Sequence, residues 1–386
     1  MKILMVLDHE FPPDIRVENE IASLHNAGHE IHIACFTRQN GEALEKTSTC
    51  VIHRKRISAF FYKSSVACLT LPFYFAYWRK FVTDILVRYS FDAIHVHDLP
   101  LARIGFEVNR RHGIKFILDL HENWPAFVAA ADHTNTLAGK IVSPVGLWIS
   151  YERQMVSRAD WVITVVEEMR DRLTANGGNP DKIIVVPNTI RIGEYPESER
   201  IPDTDTVILL YSGGIDNQRG LHIPIEAMPQ IIREQPNVRL WLVGKGSFEN
   251  KLKERVEQLK ISGHVVFWGW QDPAAMYALI QQAHIAIIPY LRTMQTDCSS
   301  PNKLFQYMYA GKPVLASNCT SVKRIIEETK SGRCYEHNIP FDFSAKAIEL
   351  AKNTPERIQL GKNGRSSVLK KYNWDKTAES LIKIYS

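Results

Sequence analysis

Long apolar runs are missing from this chain of 386 residues: none reaches the roughly 18 consecutive apolar residues that a membrane-spanning helix needs. The opening KILMVLD is a short apolar run closed by a charge and carries no signal-peptide pattern. The six cysteines, at 35, 50, 68, 298, 319 and 334, make no CxxC pair and no regular spacing. That excludes a disulfide framework and a cysteine zinc site, and it suits reduced thiols in a cytoplasmic protein. A strong charge of one sign is lacking too. The 47 Lys and Arg against 42 Asp and Glu leave +5, too little to argue for nucleic acid but compatible with a small anionic ligand or an anionic membrane surface. Neither GxGxxG nor a Walker A motif occurs, which disfavours NAD and P-loop nucleotide binding. What remains, 45% hydrophobic and 23% charged, is the composition of a soluble globular enzyme long enough for two domains.

Short apolar runs alternate with amphipathic segments throughout. In the first half, residues 2–7, 29–36, 51–56, 93–97, 115–120, 161–165 and 182–186 read as strands, and 16–26, 73–88, 102–111 and 146–157 as helices. Strands that are apolar throughout, instead of alternating, suit a parallel sheet covered on both faces. A polar stretch with three prolines, 187–205, reads as a linker. The alternation then restarts with strands at 206–211, 239–243, 265–267, 285–288 and 313–316, and the chain ends in a helix over 374–385. The pattern predicts an α/β protein of two Rossmann-like, doubly wound domains facing an interdomain cleft. The first would span 1–190, closed by the terminal helix at about 374–386, and the second 191–373.

Two loops of the second half carry candidate chemistry. In ILLYSGGIDNQRG, Gly213 and Gly214 follow a strand, where ligands bind in open α/β sheets, and Arg219 adds a planar set of donors. The alternative is a tight turn with a solvated arginine. In CSSPNKLFQYMYAGKPV, residues 298–314, Ser300 reads as a helix N-cap, Pro301 as first-turn residue, and Gly311 with Pro313 as the stop. Lys303 then stands in the first turn, against the positive end of the helix dipole, a few tenths to about 1 kcal/mol unfavourable unless an anion shares the site. Two helix starts and two cations on one sheet edge point to a diphosphate.

The run of YSGGIDNQRG, RLWLVGKG, VVFWGW, AHIAIIPY and SPNKLFQYMYAGKPVLAS, preceded by FPPDIRVENEIASLHNAGHEIHI and ADWVITV, resembles the GT4 family (glycosyltransferase group 1) of retaining glycosyltransferases with a GT-B fold. The resemblance implies transfer of a sugar from a nucleotide-diphosphate sugar, held by the second domain, to a glycan or lipid-linked acceptor in cell-surface polysaccharide biosynthesis. It implies a donor site of Gly213, Gly214, Ser300, Pro301, Asn302 and Gln306, with Arg219 and Lys303 on the diphosphate. His121, in LDLHENWP, matches a histidine that reaches the donor sugar; a buried, satisfied histidine is the plainer alternative. Two glutamates separated by seven residues mark the family, and here the first position is Cys298 and the second Gln306, with Asp297 one residue out of register. Where many members carry an arginine in the glycine turn, this chain has Gly214, and Lys303 stands ready as the missing clamp cation.

On the acceptor side the candidates are Asp14, Arg16 and Glu122, with Asp14 equally readable as an N-cap. His95 and His97 share a strand face in HVHD, but the sequence shows no partner cluster, so no metal site is expected and no cofactor beyond the donor. Residues 51–90 hold seven basic residues against Asp84 alone, interleaved with aromatics. That composition suits peripheral contact with an anionic membrane at its inner face, or a packed helix with a solvated basic side. The rivals for the whole chain are a catalytically silent nucleotide-sugar-binding subunit and a sugar-nucleotide epimerase of the same fold.

Overall fold

The computed structural model describes residues 1–39, 42–131, 136–196 and 205–386. It divides into two compact units, Met1–Pro187 with Thr377–Ser386, and Asn188–Lys376. In the first unit the strands are β1 (Lys2–Val6), β2 (Glu30–Thr37), β3 (Leu44–Lys46), β4 (Val51–Arg56), β5 (Ala93–His97), β6 (Lys115–Leu120), β7 (Trp161–Thr164) and β8 (Ile183–Val185). They form one sheet in the order β3-β4-β2-β1-β5-β6-β7-β8, parallel except for the β3 edge. In the second unit β9 (Val207–Ser212), β10 (Val238–Val243), β11 (Val265–Gly269), β12 (Ile285–Ile288), β13 (Val314–Ser317) and β14 (Gly332–Tyr335) form a parallel sheet in the order β11-β10-β9-β12-β13-β14. Each unit is thus a doubly wound α/β layer, as the strand pattern predicts. Ile3 to Leu7, Leu209 to Tyr211 and Ile285 to Ile288 are fully buried, the burial that makes parallel strands read as unbroken apolar runs.

Sequence and structure part at the edges. β3 and β14, LEK and GRCY, are too short and too polar to show as strands. The reading of 187–205 as a linker falls partly on 197–204, outside the described residues; within 188–196, Ile190 bridges Asn373 and belongs to the second unit's core. The terminal helix is Trp374–Lys383, and Tyr385 anchors it to the first sheet by a 2.6 Å hydrogen bond to His95.

The basic, aromatic segment 51–90 is mostly structural. Tyr74, Phe75, Tyr77 and Trp78 face inward from the helix Phe73–Leu86 into the core. Arg54 pairs with Glu45 and Arg79 with Glu107, and Lys55 lies over the Tyr77 ring. Phe60, Tyr62 and Phe73 remain exposed, with Arg56 and Lys63 beside Tyr62 on an open groove. Among the described residues no helix is long and apolar enough to cross a membrane.

Candidate functional site

In the second unit the helix Asn302–Tyr309 follows β12 after a loop, and its N-cap is Pro301, with no side-chain cap. The N-cap expected at Ser300 is therefore corrected: Pro301 itself is extended (φ −72°, ψ 121°) and takes the N-cap position, so the helix starts one residue later. Ser300 is buried and its hydroxyl has no protein partner. Asn302 opens the helix as its first residue.

Lys303 does not swing away into solvent. Its Nζ lies 4.0 Å from the centre of the Tyr211 ring and 5.3 Å from that of Tyr290, and the Arg219 guanidinium lies 4.8 Å over the same Tyr290 ring. Gly213 makes the room: at φ 127° it adopts a backbone glycine favours, and a Cβ there would stand 2.5 Å from Lys303 Nζ. Burial, with the charge of Arg219, holds Lys303 well below the usual lysine range. Asp216, the carboxylate acting on it, is already paired with Arg219 at 3.1 Å. Two cations on one tyrosine, at the carboxyl ends of β9 and β12, are a site short of negative charge.

The glycine turn is less open than expected. Gly213 N–H donates to Val243 O and Ile215 N–H to Lys245 O, so the turn is sewn to the loop after β10. The Gly213 amide is thus spent on the fold instead of pointing at a phosphate, and Gly214 O accepts from the Tyr211 hydroxyl at 2.7 Å. Gln306 is buried and its amide donates to the Tyr195 hydroxyl at 2.9 Å. Asp297, the out-of-register acid, is committed to Arg292 and to the Thr320 amide, and Cys298 is buried.

The first unit gathers a second group of side chains at the carboxyl ends of β5 and β6. Asp14 is the N-cap of the helix Ile15–Asn26, accepting from Val17 N–H, while Glu18 accepts from Asp14 N–H. Its second partner is His9 at 3.0 Å, so the capping alternative accounts for it. Arg16, expected near an acceptor, is instead buried: its guanidinium grips Asp119 bidentately (2.9 Å) and reaches Glu20 at 3.1 Å. A guanidinium so enclosed holds the core together and is not free to meet a ligand, because its donors are already satisfied. Glu122 is partly buried just beyond β6.

His121 sits between two carboxylates, Nε2 at 3.1 Å from Asp119 and Nδ1 at 3.6 Å from Asp98, with His97 Nδ1 at 3.3 Å. Burial alone would lower its pKa, but Asp98 and Asp119 outweigh burial and push it up to about 9. Asp119 is held well below the usual carboxylate range against its burial, by Arg16 and then His121. Burial and the Asp119 charge push Glu20 well above it. A proton held more tightly folded than unfolded stabilises the fold in full below the unfolded value near 6.5, and that stability is lost as pH rises through about 9. Urea unfolding at pH 6 and pH 9.5 should therefore show a loss of about 2–3 kcal/mol that is largely absent in His121→Gln.

The partners of His95 and His97 that the sequence did not reveal are Glu20 and Asp119, each offering a ligand atom within 4.8 Å of the others. Arg16 lies against both carboxylates, however, so a shared ion would meet a guanidinium at contact distance. Beyond Glu20, sequence reasoning also missed Asp98, Tyr211 and Tyr290; the only signal was their position at strand ends.

Residues 192–367 match the family model described as glycosyl transferases group 1, and residues 13–189 match that of a glycosyl transferase 4-like domain. The chain is 22% identical to the phosphatidyl-myo-inositol mannosyltransferase of Mycolicibacterium smegmatis over 100% of its length and 93% of the relative's. It is 22% identical to a glycogen synthase of Mycobacterium tuberculosis, over 76% of this chain and 68% of that one. Among solved structures it superposes with TM-score 0.74 and 13% identity on trehalose-6-phosphate from E. coli bound with UDP-2-fluoro glucose, covering 100% and 98% of the two chains.

Proposed function

The chain belongs to the group 1, GT4-type glycosyltransferases with the GT-B fold, and we propose that it transfers a sugar, with retention of configuration, from a UDP-sugar to a glycan or lipid-linked acceptor. The single observation that carries the donor reading is the pair of cations, Arg219 and Lys303, on the Tyr290 ring. Their mutual repulsion is relieved when a diphosphate arrives. Catalysis in this reading is positioning plus stabilisation of the departing diphosphate, whose oxygen takes the acceptor's proton; the residues supply that charge without a metal. The choice of uridine follows the ligand of the E. coli structure, and a polysaccharide or lipid acceptor follows the names of the two relatives. Gln306 contributes its remaining carbonyl oxygen to the donor ribose, and the family resemblance assigns His121 to the transferred sugar. The exposed Phe60, Tyr62 and Phe73 with Arg56 and Lys63 would bring the protein to an anionic membrane where a lipid-linked acceptor lies.

The test is a thermal-shift screen with UDP, GDP and ADP, followed by nucleotide release from the matching sugars. UDP at a hundredfold over its Kd should stabilise by about 2.7 kcal/mol, and GDP and ADP far less. Equal shifts with all three nucleotides would overturn the choice of uridine. UDP binding without turnover on any UDP-sugar and acceptor would favour a silent binding subunit.

A further inference from the structure

Asp98 follows β5 directly and holds the backbone at φ 62°, ψ 159°. This is not the left-handed turn conformation that Lys330 adopts at a helix end (φ 49°, ψ 42°) but a region populated almost only by glycine. A side-chain residue stays there only where its surroundings over-determine it, and strain of this kind concentrates where a site needs it. The surroundings are visible. Asp98 N–H donates to the Asp119 carbonyl at 2.7 Å, and the next three residues, Leu99 to Leu101, are buried. The carboxylate thereby lands on the turn after β6: Oδ1 accepts His121 N–H at 3.2 Å and Oδ2 lies 3.6 Å from the ring Nδ1. Asp8, hydrogen-bonded to the Tyr74 hydroxyl, faces the same carboxylate, and burial and then the Asp98 charge raise its pKa well above the usual carboxylate range.

We propose that Asp98 is a positioning residue whose strained backbone holds its carboxylate against His121, so that backbone and ring are fixed together between Asp98 and Asp119 for work on the transferred sugar. A relaxed residue at 98 would carry the carboxylate away from the β6 turn, and His121 would keep Asp119 alone. The proposal rests on the glycosyl-transfer reading for the role of His121, while the strained clamp itself does not.

Asp98→Ala removes the carboxylate and keeps the strain, whereas Asp98→Gly removes both. We expect the glycine variant to melt about 3 °C or more above the alanine variant. On UDP-glucose, kcat should fall about a hundredfold in both, with KM changed less than threefold, because positioning and not donor affinity is lost. Asp98→Asn, which can still accept the His121 N–H, should recover part of kcat. A glycine variant that melts no higher than the alanine variant, or that keeps kcat within twofold of the parent, overturns the proposal. The melting comparison needs no turnover, so it decides the clamp even where UDP-glucose proves not to be the donor.

Discussion

Replacing Lys303 with methionine is expected to lower kcat/KM by about 10²–10³-fold, the effect of removing one preorganised charge from a leaving group. The ligand-free protein should not suffer. Its ammonium stands over Tyr211 and Tyr290, beside Arg219, and burial holds its pKa well down, so the charge is a burden until an anion arrives. Methionine fills similar space without that burden, and the free protein should melt at the same temperature or higher. The stabilisation on adding UDP should disappear. A variant that keeps both kcat/KM and the UDP-induced shift would show that no phosphate meets Lys303.

The second large effect is structural. Arg16→Met strands Asp119, a fully buried carboxylate, with His121 as its remaining cationic partner. Breaking a buried pair from one side costs about 3–5 kcal/mol, which urea unfolding at pH 7 would read as a lower midpoint with an unchanged slope. The acid limb carries the matching sign. Because Asp119 is held well below its unfolded value near 3.8, its contribution is present above that pH and is lost as pH falls through the folded value. In Arg16→Met that limb should flatten, since the depression came first from Arg16. Asp119→Asn breaks the same pair from the other side and leaves the buried Arg16 guanidinium with Glu20 as its ion-pair partner, so its cost should be of the same order. An unchanged midpoint in Arg16→Met would mean that the pair does not hold the fold.

Much of the architecture was legible. The inner strands of both sheets bury both faces, and complete burial writes itself as an unbroken apolar run such as KILMV or IAII. The edge strands β3 and β14, with one flank unpaired, need no such run and left no mark. Lys303 was legible as well, because a cation in a first helical turn violates a local electrostatic preference, and such violations point to function. Ser300 was misread because Ser-Pro satisfies the rule for an N-cap, and only the backbone shows that Pro301 takes that place. For the aromatic segment 51–90 composition left membrane contact and a packed helix both open, and helical phase turns Tyr74 and Trp78 inward, as the packed helix requires.

The sequence by itself determined the two parallel-sheet units, the order of motifs that marks the family, and the displaced cation at 303. These are local matters, settled by periodicity and by residues adjacent in the chain. The tertiary structure decided which charges meet. Arg16 joins Asp119 across 103 residues, Lys303 shares an aromatic ring with Arg219, and Asp98 is strained onto His121. Electrostatic coupling depends on distance and burial, and neither exists until strands far apart in the chain lie side by side.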